Sequence, residues 1–483
     1  MFYLLFFVLL AVVIFFSFLL AKTKGENILE HIIRFSTVIF IALTMANLLL
    51  PDYFVCNKEL PTLSQMTGTK LHAMIRWLNA VCFTVLPIAV FQKNKYFEKV
   101  ASLFCLPIAM INVIHYDQYI EYFLFDSPSG LQTLRLFSES FKNFFVDEIF
   151  RAVFFGLLCH FQLVALILLT WKNRKKLAVH KGEIGSFAVV LIGMSYMSIP
   201  VYVPQYLFGH VKVMLTRFSF VHVAWILLIV AIILVLYLTF QYKPYESKYL
   251  LVLSMAWALM LQFSQMFTAT AELNIAKLPL QLCNLGSYLA LIMLLTKSNK
   301  IFHFTLIVNV VGAVIAIAIL DISKEASHIS RLWVVHYIVE HTKVLVVPIL
   351  SLVLRIFKPI EKRSIKHFSI GFAVYYVSVF ILGTISNGFY KLYEGEYIQN
   401  FFYVNFLFMF DKDVAGSLVG FTEPLFEKYV IRLGIFEIYP VVQLLVYVVF
   451  MAICLAAYLL IYMLTKRQRS DYANGRYLKY ENR

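Results

Sequence analysis

Long apolar runs, separated by short polar or basic segments, make up most of this chain. Thirteen of them are close to the 17–25 residues that a helix needs to cross the hydrocarbon core of a bilayer. They are residues 2–20, 32–50, 74–91, 100–116, 149–171, 187–205, 220–240, 249–267, 278–295, 301–320, 332–354, 368–389 and 439–464. Because a helix satisfies its own backbone polar groups inside lipid, the pattern predicts an all-α polytopic membrane protein with about thirteen transmembrane helices.

The composition narrows the function classes. Hydrophobic residues make up 61% of the chain and charged residues only 14%, whereas about 25% of the residues in a soluble domain are charged. This excludes a water-soluble enzyme and a disordered chain. The net charge of +15 lies in the segments between apolar runs, where it sets membrane topology. We therefore expect membrane lipids as partners, and no nucleic acid.

Lys and Arg residues are concentrated in alternate connecting segments. This set begins with Lys22 and Lys24, after the first apolar run, and ends with the tail from Lys466 to Arg483. The positive-inside rule places such segments in the cytoplasm. The sequence thus predicts a multi-pass protein of the cell membrane with its N-terminus outside and its C-terminus in the cytoplasm.

The orientation can be tested at the C-terminus. A reporter that is active only outside the cytoplasm should stay inactive when it is fused after Arg483, because the basic tail favours the cytoplasmic side. A reporter that is active only in the cytoplasm serves as the control. The reverse pattern of activities would show that the tail lies outside.

Three pairs of segments indicate an internal duplication. Residues 91–97 resemble 296–302, and two further pairs begin at His160 and His341 and at Ser186 and Gly371. We predict one leading helix followed by two six-helix repeats in parallel orientation, although apolar sequences also align by chance. The predicted domains are residues 1–27 (leading transmembrane helix and loop), 28–240 (first repeat), 245–466 (second repeat) and 467–483 (basic cytoplasmic tail).

The duplication distinguishes polar residues that occur in both repeats from those that occur only in the second repeat. In this alignment Asn79 matches Asn284 and His160 matches His341, whereas the first repeat has apolar residues opposite Cys283 and His336. A single reaction centre would therefore lie in the second repeat.

The apolar run 332–354 contains ionisable residues, which are costly inside a bilayer and usually functional. His336, Glu340 and Lys343 are spaced so that they share one helical face. Cys283 and His336 are predicted at a similar depth in the outer leaflet, so they could meet.

These residues have two interpretations. In the catalytic one, His336 or His341 deprotonates Cys283, and the thiolate attacks an acyl ester. In the structural one, Cys283 is a small core residue and the histidines are satisfied by hydrogen bonds. The candidate substrate-binding residues are Asn284, Glu340, Lys343 and Asn387, although Asn387 could instead be a helix-packing residue.

The sequence predicts no metal and no cofactor. The His, Cys and Glu residues lack a compact ligand spacing, and there is no nucleotide-binding loop or hydrolase motif.

The segment Leu278-Pro-Leu-Gln-Leu-Cys-Asn-Leu-Gly-Ser287, the histidines of the run 332–354 and the stretch that begins at Asn400 together resemble the YwaF-like family of bacterial six-helix membrane proteins. The resemblance covers roughly residues 245–466. That family is similar to a eukaryotic membrane acyltransferase family that remodels ether phospholipids and is proposed to use a Cys and a His. The resemblance implies Cys283 as nucleophile and His336 or His341 as base.

Three functions remain open at this point. The first is a lipid acyltransferase or transacylase. The second is a transporter or scramblase of lipids or small molecules, because parallel repeats are common among transporters. The third is a non-catalytic subunit of a membrane complex, with aromatic outer segments such as 117–148 and 401–410 as contact surfaces.

Overall fold

The computed structural model describes ten stretches of the chain. They are residues 2–49, 63–114, 148–199, 213–269, 275, 278–320, 328–329, 332–392, 402–410 and 423–475. The predicted surface helix within 117–148 lies outside the described residues.

Helices account for nearly all of the regular structure. They are α1 (Phe2–Lys24), α2 (Glu26–Leu49), α3 (Leu63–Gln92), α4 (Lys95–Val100), α5 (Leu106–Ile114), α6 (Glu148–Asn173), α7 (Ile184–Met197), α8 (Phe220–Phe240), α9 (Tyr245–Ala269), α10 (Leu282–Thr296), α11 (Asn299–Phe304), α12 (Val310–Ile319), α13 (Leu332–Val353), α14 (Ser364–Leu392), α15 (Glu423–Lys428), α16 (Pro440–Leu464) and α17 (Lys466–Ala473). A short antiparallel hairpin, β1 (Ile431–Leu433) and β2 (Phe436–Ile438), precedes α16.

The predicted class is confirmed: the chain is an all-α membrane protein. Each of the thirteen apolar runs overlaps a helix, and nine helices of the described residues are long and apolar enough to cross a membrane. Some of their leucines are exposed, such as Leu227 and Leu238 of α8, because hydrocarbon replaces water around these faces. The count of thirteen spans stays a prediction.

The chain forms two compact units. The first contains residues 1–213, 257–271 and 328–336, and the second contains 214–256, 272–327 and 337–483. The predicted repeats divide near residue 240, whereas α8 belongs to the second unit. Helices α9 and α13 each contribute residues to both units.

A buried amide network links three helices of the first unit. Asn79 of α3 and Asn112 of α5 hydrogen-bond to each other, and Gln162 of α6 donates to Asn79 Oδ1 at 3.1 Å. Asn112 and Gln162 are completely buried. Buried amides must satisfy one another, so this network fixes the register of α3, α5 and α6.

Glu183 forms ion pairs with two lysines of the first unit. Its carboxylate accepts from Lys95 at 2.6 Å and from the buried Lys99 at 2.5 Å. The hydrogen bond from Lys95, followed by that from Lys99, lowers the pKa of Glu183 from 4.5 to about 2. Since the folded-state pKa is below the unfolded one, this carboxylate stabilises the fold fully above pH 4.5 and loses its effect as the pH falls through about 2.

Glu183→Gln should lower the thermal midpoint of the solubilised protein at pH 7, because the buried Lys99 ammonium loses its carboxylate partner. The difference from the wild type should shrink between pH 4.5 and about 2, where wild-type Glu183 becomes protonated. Glu246→Gln, at an exposed position of α9, is the control. A pH-independent difference would contradict this assignment.

Both units contain the same local irregularity. Lys93 and Lys297 adopt left-handed backbone conformations, with φ of 51° and 49°. In each case the next residue caps a short helix that passes into a π-helical turn, Ala101–Cys105 in the first unit and Thr305–Asn309 in the second.

An alignment on this shared irregularity gives Asn79 a different partner from the predicted Asn284. The offset between Lys93 and Lys297 is one residue shorter than the offset of the sequence match. Because α3 and α10 run without a break up to these lysines, the same offset pairs Asn79 with Cys283. The complete six-helix repeat stays a prediction.

Candidate functional site

Two side chains hold the N-terminal start of α10 in place. Tyr375 of α14 donates its hydroxyl to the Leu280 carbonyl at 2.8 Å. Asn309, the last residue of the π-helical turn, donates to the Leu282 carbonyl at 2.7 Å. These side chains hold the backbone immediately before Cys283 in place.

A glycine allows this close packing. A Cβ atom at Gly286 would lie 2.9 Å from Asn309 Nδ2 and 3.0 Å from Val344 Cγ1. Only a residue without a side chain therefore lets α10 approach both neighbours. Asn309 ends the π-helical turn, and such turns occur frequently at functional sites.

Cys283 differs from the other described cysteines in its exposure. Cys283 is partly exposed, whereas Cys82, Cys105, Cys159 and Cys454 are buried. A buried cysteine packs as a small apolar residue, but reaction requires access to the sulfur. The groups that interact electrostatically with Cys283 include the side chains of Glu340 and Tyr375.

Glu340 is held beside the thiol by an amide. With its nitrogen turned toward the carboxylate, Asn284 donates to Glu340 Oε1 at 2.5 Å and to Oε2 at 3.2 Å. Glu340 is only 4% exposed, and a buried carboxylate needs such donors. The predicted site residues Cys283, Asn284 and Glu340 are thus brought together.

Helix α13 presents two faces. Glu340 faces α10, whereas Tyr337 donates its hydroxyl to the Ala316 carbonyl of α12 at 2.5 Å. His341 is one turn after Tyr337 and shares its face. His341 Nδ1 lies 2.6 Å from the Tyr337 carbonyl. Because a carbonyl only accepts, Nδ1 carries the proton, and in the neutral ring Nε2 keeps its lone pair.

His336 and Lys343 are buried on the same helix. Lys343 belongs to the second unit with Cys283, and His336 belongs to the first. The predicted meeting of Cys283 with His336 therefore stays a prediction.

Asn387 makes two hydrogen bonds to a backbone segment. Its Nδ2 donates to the Val404 carbonyl at 2.8 Å, and its Oδ1 accepts from the Val404 amide at 3.2 Å. This pairing ties the aromatic stretch at 402–410 to α14. Asn387 thus makes structural hydrogen bonds, and its role in substrate binding stays a prediction.

Within the described stretches, we find no cluster of three or more His, Cys, Asp or Glu side chains that could hold a metal ion. The described groups that interact at Cys283 are its thiol, the Glu340 carboxylate and the Tyr375 phenol.

Sequence reasoning missed three residues of this site. Asn309 stands alone as an amide within the apolar run 301–320, which is a signal that the sequence offers. Tyr375 is one of two adjacent tyrosines in its run, and the packing of Gly286 depends on neighbours that are distant in sequence. Neither of these two carries a sequence signal.

A comparison with family models gives one match. The model described as the TMEM164 family matches residues 214–462, slightly more than half of the chain. This range starts where the second unit starts and includes every residue of the candidate site. No curated protein and no solved structure matches the chain.

Proposed function

Because the chain belongs to the TMEM164 family, a family of membrane proteins, we propose that it is a membrane-embedded lipid acyltransferase or transacylase whose nucleophile is Cys283. The observation that carries this proposal is a cysteine at a partly exposed position that interacts electrostatically with the buried carboxylate of Glu340. Leu280 and Tyr375, which lie next to it, also line a cavity of about 960 Å³.

The reaction has two balanced steps. The Cys283 sulfur attacks the carbonyl carbon of a phospholipid ester and passes its proton to a base. The ester carbon–oxygen bond breaks, and the lysolipid leaves as an alcohol with that proton. A second lysolipid hydroxyl then attacks the thioester, the carbon–sulfur bond breaks, and the hydroxyl proton returns through the base to the sulfur.

The base in this proposal is a histidine of α13. His341 has the required tautomer, because the Tyr337 carbonyl fixes the proton on Nδ1 and leaves Nε2 to accept. His336 stays the alternative, since it shares a helical face with Glu340. With His336 as the base, the Glu340 carboxylate on the same face would stabilise the imidazolium that forms.

The first unit does not contain a second copy of this centre in our proposal. The position equivalent to Cys283 is Asn79, whose amide belongs to the network with Asn112 and Gln162. An amide in a closed network is no nucleophile, so this unit serves the architecture. We keep the parallel six-helix repeats, the YwaF-like relationship and the cytoplasmic C-terminus as parts of the proposal.

The acyl-enzyme can be trapped directly. After incubation with a phospholipid that carries an isotope-labelled acyl chain, mass spectrometry should locate the label on the Cys283 peptide. Neutral hydroxylamine should remove it, because it cleaves thioesters. His341→Ala should slow labelling by about 100-fold or more, the usual contribution of a general base.

His222→Ala is the matched control for His341→Ala. His222 is a buried histidine of the same unit whose Nε2 lies 2.9 Å from the Ile317 carbonyl, and its ring packs against Trp225, so it tests whether the loss of any buried histidine in this region slows labelling. It should leave the labelling rate nearly unchanged. If His336→Ala and not His341→Ala slows labelling, His336 is the base. A label on any residue other than Cys283 would overturn the proposal.

A further inference from the structure

A groove in the second unit has a basic end and an apolar body. Its volume is about 960 Å³. Lys300, Arg363, Lys366 and His367 line the basic end, and the first three are exposed. None of the described residues that line the groove is acidic. An anion is therefore the ligand that this end attracts.

Leucines and other apolar residues line the rest of the groove. Leu285 and Leu289 of α10 face Ile370 and Val374 of α14 across it. Ile370 and Val374 are largely exposed, so the groove opens toward the surroundings of the helix bundle. An apolar channel beside a cationic cluster matches an amphiphile with an anionic head and hydrocarbon tails.

We propose that this groove binds an acidic glycerophospholipid of the cytoplasmic leaflet, with its phosphate at Lys300, Arg363 and Lys366. Guanidinium and ammonium groups bind phosphate through charge-assisted hydrogen bonds. All three residues lie in segments that the positive-inside rule assigns to the cytoplasmic side. The acyl chains run along α14 toward Tyr375.

This lipid is distinct from the substrate of the proposed acyl transfer. Lys366 and Tyr375 are nine residues apart on α14, or about 13 Å at 1.5 Å per residue. The ester groups of a lipid lie close to its phosphate, so they remain at the basic end while only the tails approach Cys283. The lipid therefore covers the inner side of the site without presenting an ester to the thiol.

Binding can be measured with purified full-length protein in neutral detergent. Native mass spectrometry or a thermal-shift titration would compare phosphatidylglycerol with phosphatidylcholine of identical chains, and with inorganic phosphate. We expect phosphatidylglycerol to bind at least about tenfold more tightly than phosphatidylcholine, because its net charge is negative. Inorganic phosphate should bind weakly, because it leaves the apolar body unused.

Two groove variants test the two parts of the site. The triple variant Lys300→Gln, Arg363→Gln, Lys366→Gln should weaken phosphatidylglycerol binding about tenfold or more, since each basic residue near an anionic headgroup contributes roughly fivefold. Val374→Trp should also weaken it by filling the apolar body, with every charge intact.

The control variant removes the same charge elsewhere. Lys175→Gln, Lys176→Gln, Lys181→Gln changes three exposed basic residues of the first unit, and binding should change less than twofold. If both triple variants lose the same affinity for phosphatidylglycerol, the effect comes from the net charge of the protein and the proposal is overturned. Equal binding of the two lipids, or a phosphate affinity that matches phosphatidylglycerol, would also overturn it.

The proposals for the lipid site and for the acyl-transfer site can be overturned separately. Cys283→Ala should keep phosphatidylglycerol binding within about twofold of the wild type, because binding needs no thiol. Loss of binding selectivity in an active enzyme would overturn only the groove proposal. If the protein prefers phosphatidylglycerol but forms no acyl-enzyme, only the acyl-transfer proposal is overturned.

Discussion

Replacing Cys283 with alanine is expected to abolish acyl transfer and the labelled thioester while leaving the protein folded. The thiol is the only proposed nucleophile, and removal of the nucleophile from a covalent mechanism costs at least about 1,000-fold in kcat. The substitution removes one sulfur atom from a partly exposed position, so the free energy of unfolding should change little. Acyl transfer between labelled phospholipid and lysolipid measures the first effect, and thermal unfolding measures the second.

Two variants complete this experiment. Cys283→Ser retains the size of the side chain but supplies a far weaker nucleophile, so it should also be inactive. Cys454→Ala removes a buried thiol from α16 in the same unit and should retain transfer activity. Full activity in Cys283→Ala would exclude the covalent mechanism and favour lipid binding or transport without a covalent step.

Gly286→Ala should destabilise the second unit and disturb the site. The new Cβ atom would lie 2.9 Å from Asn309 Nδ2 and 3.0 Å from Val344 Cγ1. Asn309 cannot move away freely, because its amide holds the Leu282 carbonyl. Inserting a methyl group into such a packed interface costs typically 1–3 kcal/mol, and the displaced helix opening would lower the labelling rate at Cys283.

Gly185→Ala is the matched control for this substitution. Gly185 is also helical, but a Cβ atom there meets nothing within 4 Å. Both substitutions gain up to about 1 kcal/mol of helix propensity, so the difference between their thermal midpoints isolates the packing cost. Equal midpoints, with equal labelling rates, would show that α10 is not closely packed against Asn309 and Val344.

The candidate site was predictable where local chemistry is visible in the chain. Cys283, Asn284 and Glu340 stand out because polar and ionisable residues are costly inside apolar runs, and the structure brings these three together. Asn309 carries the same kind of signal. The packing of Gly286 and the hydrogen bond from Tyr375 to Leu280 join residues that are far apart in sequence, so local patterns do not reveal them.

The basic residues of the groove show a second limit of prediction from the sequence. Lys300, Arg363 and Lys366 serve in the sequence as topology signals, because short basic segments determine which end of a helix stays in the cytoplasm. Only the folded chain places them at one end of an apolar groove. A residue count along the chain cannot distinguish a topology signal from a binding site, since both need the same charge in the same segments.

The sequence by itself determined the membrane class and the approximate positions of the helices, because the apolar runs must match the thickness of a bilayer. It also identified the thiol and the carboxylate of the candidate site. The tertiary structure decided the amide that holds Glu340, the hydrogen bonds that fix the start of α10 and the division into two compact units. Those features depend on side chains that meet across helices, and such contacts follow from packing in three dimensions rather than from the order of residues along one helix.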